Sequence, residues 1–557
     1  MNLSYIYIKK YKSAYTMKYV ILTILFCSFS ILSAQSDSSH LDIRKVEVIK
    51  AFEAGIQDAT LLKVKPVTPP TTNYKPNYTY IISEFPVKVQ EVKPQILPLA
   101  IQQDPPFIVN KGFLFGSFGL KNNINFLGGY SLYQKDRYDA GIHVGYESLD
   151  NSKTIPFQKY NQTQIALYGN YLLKENLKLY GQVNTSFKNR YLYNQDSETD
   201  TLFTDADLKR KLNASRISVG IANPEPTAWD INYDVNLDLH NLSIGTNKSK
   251  DNGITLRAMA EKQFGTSSVL YFNASYDYTA YRDSLQYTLS VADFKPHFKT
   301  KIGNLLLDGG VSMLYTADGQ STVFPEAEIA LSVNNGSFMV FAGLHQNHFA
   351  NTFANLAEKN PYLNTKMDSL KTTVWQEYNA GIKGKFSFLG YQIKAGYKSI
   401  NNQMFMLNNH IDISIFDLVF DDISSKFISG NLNFNFSDKL EFGGWLTQNF
   451  FSLDSIDKAW HTPALEANAF AVYKLLDNKL RIRSDLFLGS PISYINKSGV
   501  EDKSGVLFDF NIEANYALTD NFHINVQGIN LLNNTFERYY GYPSAGILVR
   551  AGIRWVF

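Results

Sequence analysis

Residues 229 to 240 read WDINYDVNLDLH, and the alternation is unbroken: Trp229, Ile231, Tyr233, Val235, Leu237 and Leu239 against Asp230, Asn232, Asp234, Asn236, Asp238 and His240. A period of two puts the first set on one face of a β-strand and the second on the other. The pattern recurs in FDFNIEANYAL, where Phe508, Phe510, Ile512, Ala514, Tyr516 and Leu518 alternate with Asp509, Asn511, Glu513, Asn515 and Ala517. Such runs exceed the ~5–6 residues usual in soluble strands and match the ~9–11 that a tilted strand needs to cross a bilayer.

The connections carry the next step. Tight polar turns occur at LLKENLKL, FSDKLEF, LLDNKLRI and LTDNFHI, and between them lie longer stretches near 189–210, 350–371, 451–463 and 533–545. Short and long connections in alternation are the pattern of an up-and-down transmembrane barrel with short periplasmic turns and longer external loops. Placing strands back from Phe557 on this rule predicts 22 of them from residue 107 onward, among them 111–119, 372–384, 390–404, 425–436 and 546–557. An even count leaves both barrel termini on the periplasmic side. Soluble propellers or sandwiches also alternate, but they bring repeats or domain boundaries, and none is visible after Pro106.

The chain ends on AGILVRAGIRWVF. Ile547, Val549, Ala551, Ile553, Trp555 and Phe557 form an apolar face for lipid, and Arg550 and Arg554 fall on the other face, toward the lumen, as do Asp509 and Glu513. Before the barrel, MKYVILTILFCSFSILSAQ has the form of a secretory signal, with Met17 as the start and 1–34 removed. The only cysteine, Cys27, lies inside it, so disulfides do not hold the exported chain together. Residues 35–106 contain nine of the 18 prolines; lacking donors and fixed in φ, they predict an extended periplasmic arm. Its apolar stretches, YTYIISEFPVKV and QILPLAI, need cover, which suggests that the arm lies in the periplasmic mouth and partly occludes it.

Fifty-three basic and 51 acidic residues give a net charge of +2, with no basic patch for a nucleic-acid partner. No GxSxG elbow, HExxH or P-loop is present, so the reading is a non-enzyme with no catalytic residue, cofactor or metal. The acidic run around Asp196, Glu198, Asp200, Asp205 and Asp207 reads as a solvated loop. FERYYGYP places Tyr539, Tyr540 and Tyr542 on an external loop, where they could bind a sugar or a protein.

INLLNNTFERYYGYPSAGILVRAGIRWVF resembles the last two strands and last external loop of TonB-dependent receptors, particularly those of Bacteroidota. The resemblance implies a 22-strand barrel in the outer membrane of a Gram-negative cell, and a C-terminal aromatic signal, here Trp555 and Phe557, that the barrel-assembly machinery reads. It also implies solute uptake, with outer-membrane lipid and an outer-membrane protein or surface lipoprotein as partners. The departure is at the N-terminus: such receptors carry a folded plug of well over a hundred residues, and this chain has only the proline-rich arm. KVEVIK, residues 45–50, faintly resembles a TonB coupling box, and dependence on TonB stays open. The alternative is a non-transporting accessory subunit of a larger outer-membrane complex.

Overall fold

The computed structural model describes residues 111–557 apart from 135–136, 174–175, 195–202, 246–248, 285, 334–335 and 368. The leader and the proline-rich arm, with the expectations placed on them, lie outside the described residues. What is described is a closed antiparallel barrel of 22 strands, each paired with its neighbour in sequence. The strands are numbered β1 to β22 in chain order. The ring closes where β1 (Gly112–Gly119) pairs with β22 (Leu548–Val556). The ladder there runs to the last residue: Gly112 N donates to Phe557 O at 2.8 Å and Phe557 N to Gly112 O at 2.9 Å. Closure leaves no sheet edge, the condition for a sheet to stand in hydrocarbon.

The alternation of the sequence becomes two surfaces. Leu167, Ile217, Leu239, Phe298, Leu432 and Ile553 are exposed on the exterior, a continuous apolar surface of the kind that lipid covers. The opposite face is polar and internally paired. His297 sits between Asp308 and Glu326 at 3.0 and 2.9 Å, and Glu377 takes Lys394 at 2.7 Å and Lys398 at 3.3 Å. Charges held away from bulk water need such partners.

One end of the barrel carries both barrel termini and the tight turns. In the turn after LLDNKLRI begins, Leu476, Asp477 and Asn478 all take positive φ, a conformation that Asp and Asn tolerate better than most residues. The other end carries the long loops. There β15 (Leu389–Asn408) and β16 (Phe416–Ser437) run for 20 and 22 residues, about twice what a bilayer crossing requires. The sequence places these two strands at 390–404 and 425–436; the extra length projects beyond the wall.

Candidate functional site: a folded cap at the long-loop end

The loop between β13 (Phe338–Ala350) and β14 (Thr372–Phe386) contains a short helix, Phe353–Lys359. Thr352 caps it by accepting from Asn355 N at 3.2 Å, and Phe353, Leu356 and Ala357, spaced i, i+3, i+4, are its buried face. Seven residues are too few for a helix to stand alone. Tertiary contacts hold it: Asp251 Oδ2 accepts from Ala354 N at 2.6 Å, and Lys188 Nζ pairs with Glu358 at 2.8 Å. The loop base is tied by Asn351 Nδ2, which donates to Lys371 O at 2.7 Å and Thr373 Oγ1 at 2.9 Å.

Around this helix the loops share one hydrophobic core. Phe353, Leu356, Leu363, Met367 and Leu370 pack with Tyr542 from the last loop, with Leu242 and Ile244 of β7 (Ile231–Ile244), and with Met406 of β15 and Phe416 of β16. β7 and β16 stand nine strands apart in a ring where the farthest pairs are eleven apart. A single core that touches both therefore reaches across the mouth.

Tyrosines form the centre of this cap. The rings of Tyr362 and Tyr542 stack with centroids 3.7 Å apart, and Tyr193 meets Tyr542 edge-on at 4.8 Å. Tyr542 Oη donates to Ser414 O at 2.6 Å and Tyr539 Oη to Lys359 O at 2.9 Å. Asn194 Nδ2 donates to both Ile413 O and Tyr540 O, at 2.9 and 3.1 Å. Each hydrogen bond joins a different pair of loops, so no loop can leave without breaking bonds to others. Burial holds the phenols of Tyr362 and Tyr542 well above their usual titration range, so they stay neutral donors.

His461, in the loop between β17 (Leu440–Leu453) and β18 (Leu465–Leu475), is a second keystone. Its Nδ1–H donates to Met406 O at 2.8 Å and its Nε2 accepts from Tyr540 N at 3.3 Å. That pair of bonds requires the neutral ring, and burial pushes its pKa down to about 4. A base with a lowered folded pKa leaves stability intact above its unfolded value and loses it as pH falls toward the folded one. Between pH 6.5 and 4 the cap is therefore expected to lose up to roughly 3 kcal/mol through this residue. Glu537 opposes the trend, because burial raises its pKa and favours the protonated form at low pH. The contribution of His461 is read by following hydrogen exchange of the cap amides from pH 7 to 4 in the wild type and in His461→Asn. The loss of protection should be smaller in the variant, and identical curves would contradict it.

The residues expected to bind or line a site are found as follows. Tyr542 is buried, and Tyr539 is packed on Phe416 at 5.5 Å. Tyr540 stacks on Tyr494 at 4.3 Å. All three rings are thus in contact with the chain's own loops. Arg550 is buried, its Nε donating to Gln527 Oε1 at 2.5 Å and its Nη1 to Asn123 Oδ1 at 3.1 Å. Arg554 lies over the ring of Phe113 at 5.1 Å. Asp509 accepts from Asn511, and Glu513 Oε1 from Asn515 and Asn525 at 2.5 and 2.9 Å. These four share no hydrogen bond with one another and form no single centre. Trp555 stacks on Phe522 and meets Phe557 at a tilt. Of the acidic run, Asp205 pairs with Lys159 and Asp207 caps a helical turn at Thr204; Asp196, Glu198 and Asp200 lie outside the described residues. Among the described residues no three acidic, His or Cys side chains are grouped as a metal would require.

Sequence reasoning missed the cap. Its one available signal was the spacing of Phe353, Leu356 and Ala357, a helical period inside a stretch that otherwise reads as loop.

No family model matches the chain, and no curated protein matches it. Solved structures do. The FrpB iron transporter of Neisseria meningitidis is similar with a TM-score of 0.64 at 10% identity, over 81% of this chain and 82% of that one. The siderophore receptor PirA of Acinetobacter baumannii gives 0.61 at 11% identity, over 81% of each chain. The pyoverdine outer membrane receptor FpvA of Pseudomonas aeruginosa, bound to pyoverdine, gives 0.60 at 11% identity, over 82% of this chain and 79% of that one. At such identities the likeness is one of fold: this chain has the 22-strand barrel architecture of these transporters and receptors.

Proposed function

We propose that this protein is an outer-membrane β-barrel that carries a solute inward, with the cap as its external gate. The reading rests chiefly on one observation, a hydrophobic core that joins opposite walls of the mouth from Leu242 and Ile244 to Met406 and Phe416. A 22-strand barrel is wide enough to leak, and the wall alone needs no such core to stand. A closure built from loops can move without disturbing the ladder, and loops are where low-stability opening takes place. In this reading the long-loop end faces outward and the barrel termini face the periplasm. The likeness to iron and siderophore transporters supports passage of a solute; the accessory-subunit alternative draws no support from it.

The test is made in cells that produce a variant lacking both 35–106 and 353–370. Such cells should become sensitive to a large hydrophilic antibiotic that an intact outer membrane excludes. Unchanged resistance, with the variant folded and present in the outer membrane, would mean that the barrel offers no path.

A further inference from the structure

At the level of the cap, near the loop ends of their strands, Arg190 on β5 (Leu177–Tyr191) and Arg210 on β6 (Lys209–Ala222) stand directly opposite each other in the antiparallel register. Like charges so placed repel. Arg190 has neutral partners: its Nη2 donates to Gln162 Oε1 at 2.7 Å and its guanidinium lies 4.6 Å from the centre of the Tyr160 ring. Arg210 is nine-tenths buried, and neither its Nε nor its Nη2 has a hydrogen-bond partner. Tyr281, Tyr362 and Tyr542 lie near it. Two of these hydroxyls are committed elsewhere, Tyr281 donating to Thr365 O at 2.7 Å and Tyr542 to Ser414 O.

Among the described residues the carboxylates of this region are held by other groups. Asp251 accepts from Ala354 N, Glu358 takes Lys188, and Asp205 takes Lys159; none of them bonds to either arginine. The remaining oxygen of Asp251, Oδ1, makes no hydrogen bond and faces His240 Nε2 at 3.7 Å. A buried guanidinium without an acceptor is strongly unfavourable, and the opposed Arg190 adds to the cost. The free groups are also specific ones. Nε and Nη2 form the side edge of the guanidinium, the same edge through which Arg483 in this protein grips Asp485, at 2.7 and 2.6 Å. That fork matches two oxygens of a carboxylate or phosphate.

We propose that Arg210, reinforced by the charge of Arg190, binds an oxyanion group of a small solute at the level of the cap, with Tyr281, Tyr362 and Tyr542 nearby. The site does not depend on the transport reading, since an oxyanion could equally be carried through or hold the cap shut. It is tested by calorimetric titration of the full chain in detergent with inorganic phosphate and, separately, with acetate. Phosphate should bind saturably and acetate more weakly, having the same two-oxygen edge and less charge. Arg210→Gln should weaken phosphate binding by about tenfold or more, and Arg210→Lys, which keeps the charge and loses the fork, by an intermediate factor. Folding of each variant is checked by heat-sensitive gel mobility; should Arg210→Gln not fold, Arg190→Gln takes its place, with a smaller loss expected. No saturable binding of either anion to the wild type, or equal binding in a folded variant, would overturn the proposal.

Discussion

Tyr542→Ala is expected to open the long-loop end while leaving the wall standing. The side chain is buried, stacked on Tyr362 at 3.7 Å, met by Tyr193 at 4.8 Å and bonded to Ser414 O at 2.6 Å. Removing a buried aromatic of this size costs about 3–5 kcal/mol, and the loss falls on the cap, where loops supply most of the packing. Tyr542→Phe keeps the ring and forfeits the hydroxyl, at about 1 kcal/mol. Limited proteolysis of the folded barrel measures the difference: cleavage within 353–370 and 530–547 should accelerate strongly for the alanine variant and slightly for phenylalanine. Equal resistance in all three proteins would show that the cap does not depend on this residue.

The second large effect is expected at the seam. Gly552 of β22 is paired with Ser117 of β1 and with Asn525 of β21 (Phe522–Ile529). A Cβ there would run into the carbonyl oxygen of Gly116 and press on Ser117 Cβ at 2.5 Å. Both obstacles belong to the strand that must hydrogen-bond to β22 to close the ring, so relief means parting the last pair. Gly552→Val should therefore cost roughly 3 kcal/mol or more at the one joint that no hairpin holds together. The folded, heat-sensitive gel form should be lost. Gly169→Val, where an added Cβ meets nothing within 4 Å, is the matched control and should assemble. Normal folding of Gly552→Val would mean that the seam tolerates strain that its geometry does not suggest.

The wall was legible in the sequence because its physics is periodic. Lipid on one side and a polar interior on the other force alternation, and turn chemistry marks the ends, so the strand expected at 111–119 falls within one residue of Gly112–Gly119. Legibility failed where both faces of a strand are covered. In FDLVFDD, Phe416 and Leu418 pack with the cap while Val419 and Phe420 interrupt the alternation, and the start of β16 was lost by nine residues as a result. The cap failed for a related reason. Its core is assembled from residues on separate loops and strands, such as Leu363, Tyr542 and Leu242, that lie far apart in the sequence. No local period records a contact between residues more than a hundred positions apart. Tyr539, Tyr540 and Tyr542 were visible as a cluster, but a run of aromatics in a loop reads the same whether it awaits a ligand or another loop. Arg210 was not distinguishable from any other arginine until its burial and its unpartnered edge were known.

The most direct measurement is the single-channel conductance of the purified barrel in a planar bilayer, comparing two proteins that both lack residues 35–106, one with the cap intact and one with 353–370 replaced by a short turn. With the inner arm absent from both, only the cap differs. The account predicts a closed or barely conducting barrel when the cap is present and a steady open conductance when it is shortened. Equal and open conductance in both would show that the loops fold across the mouth without closing it.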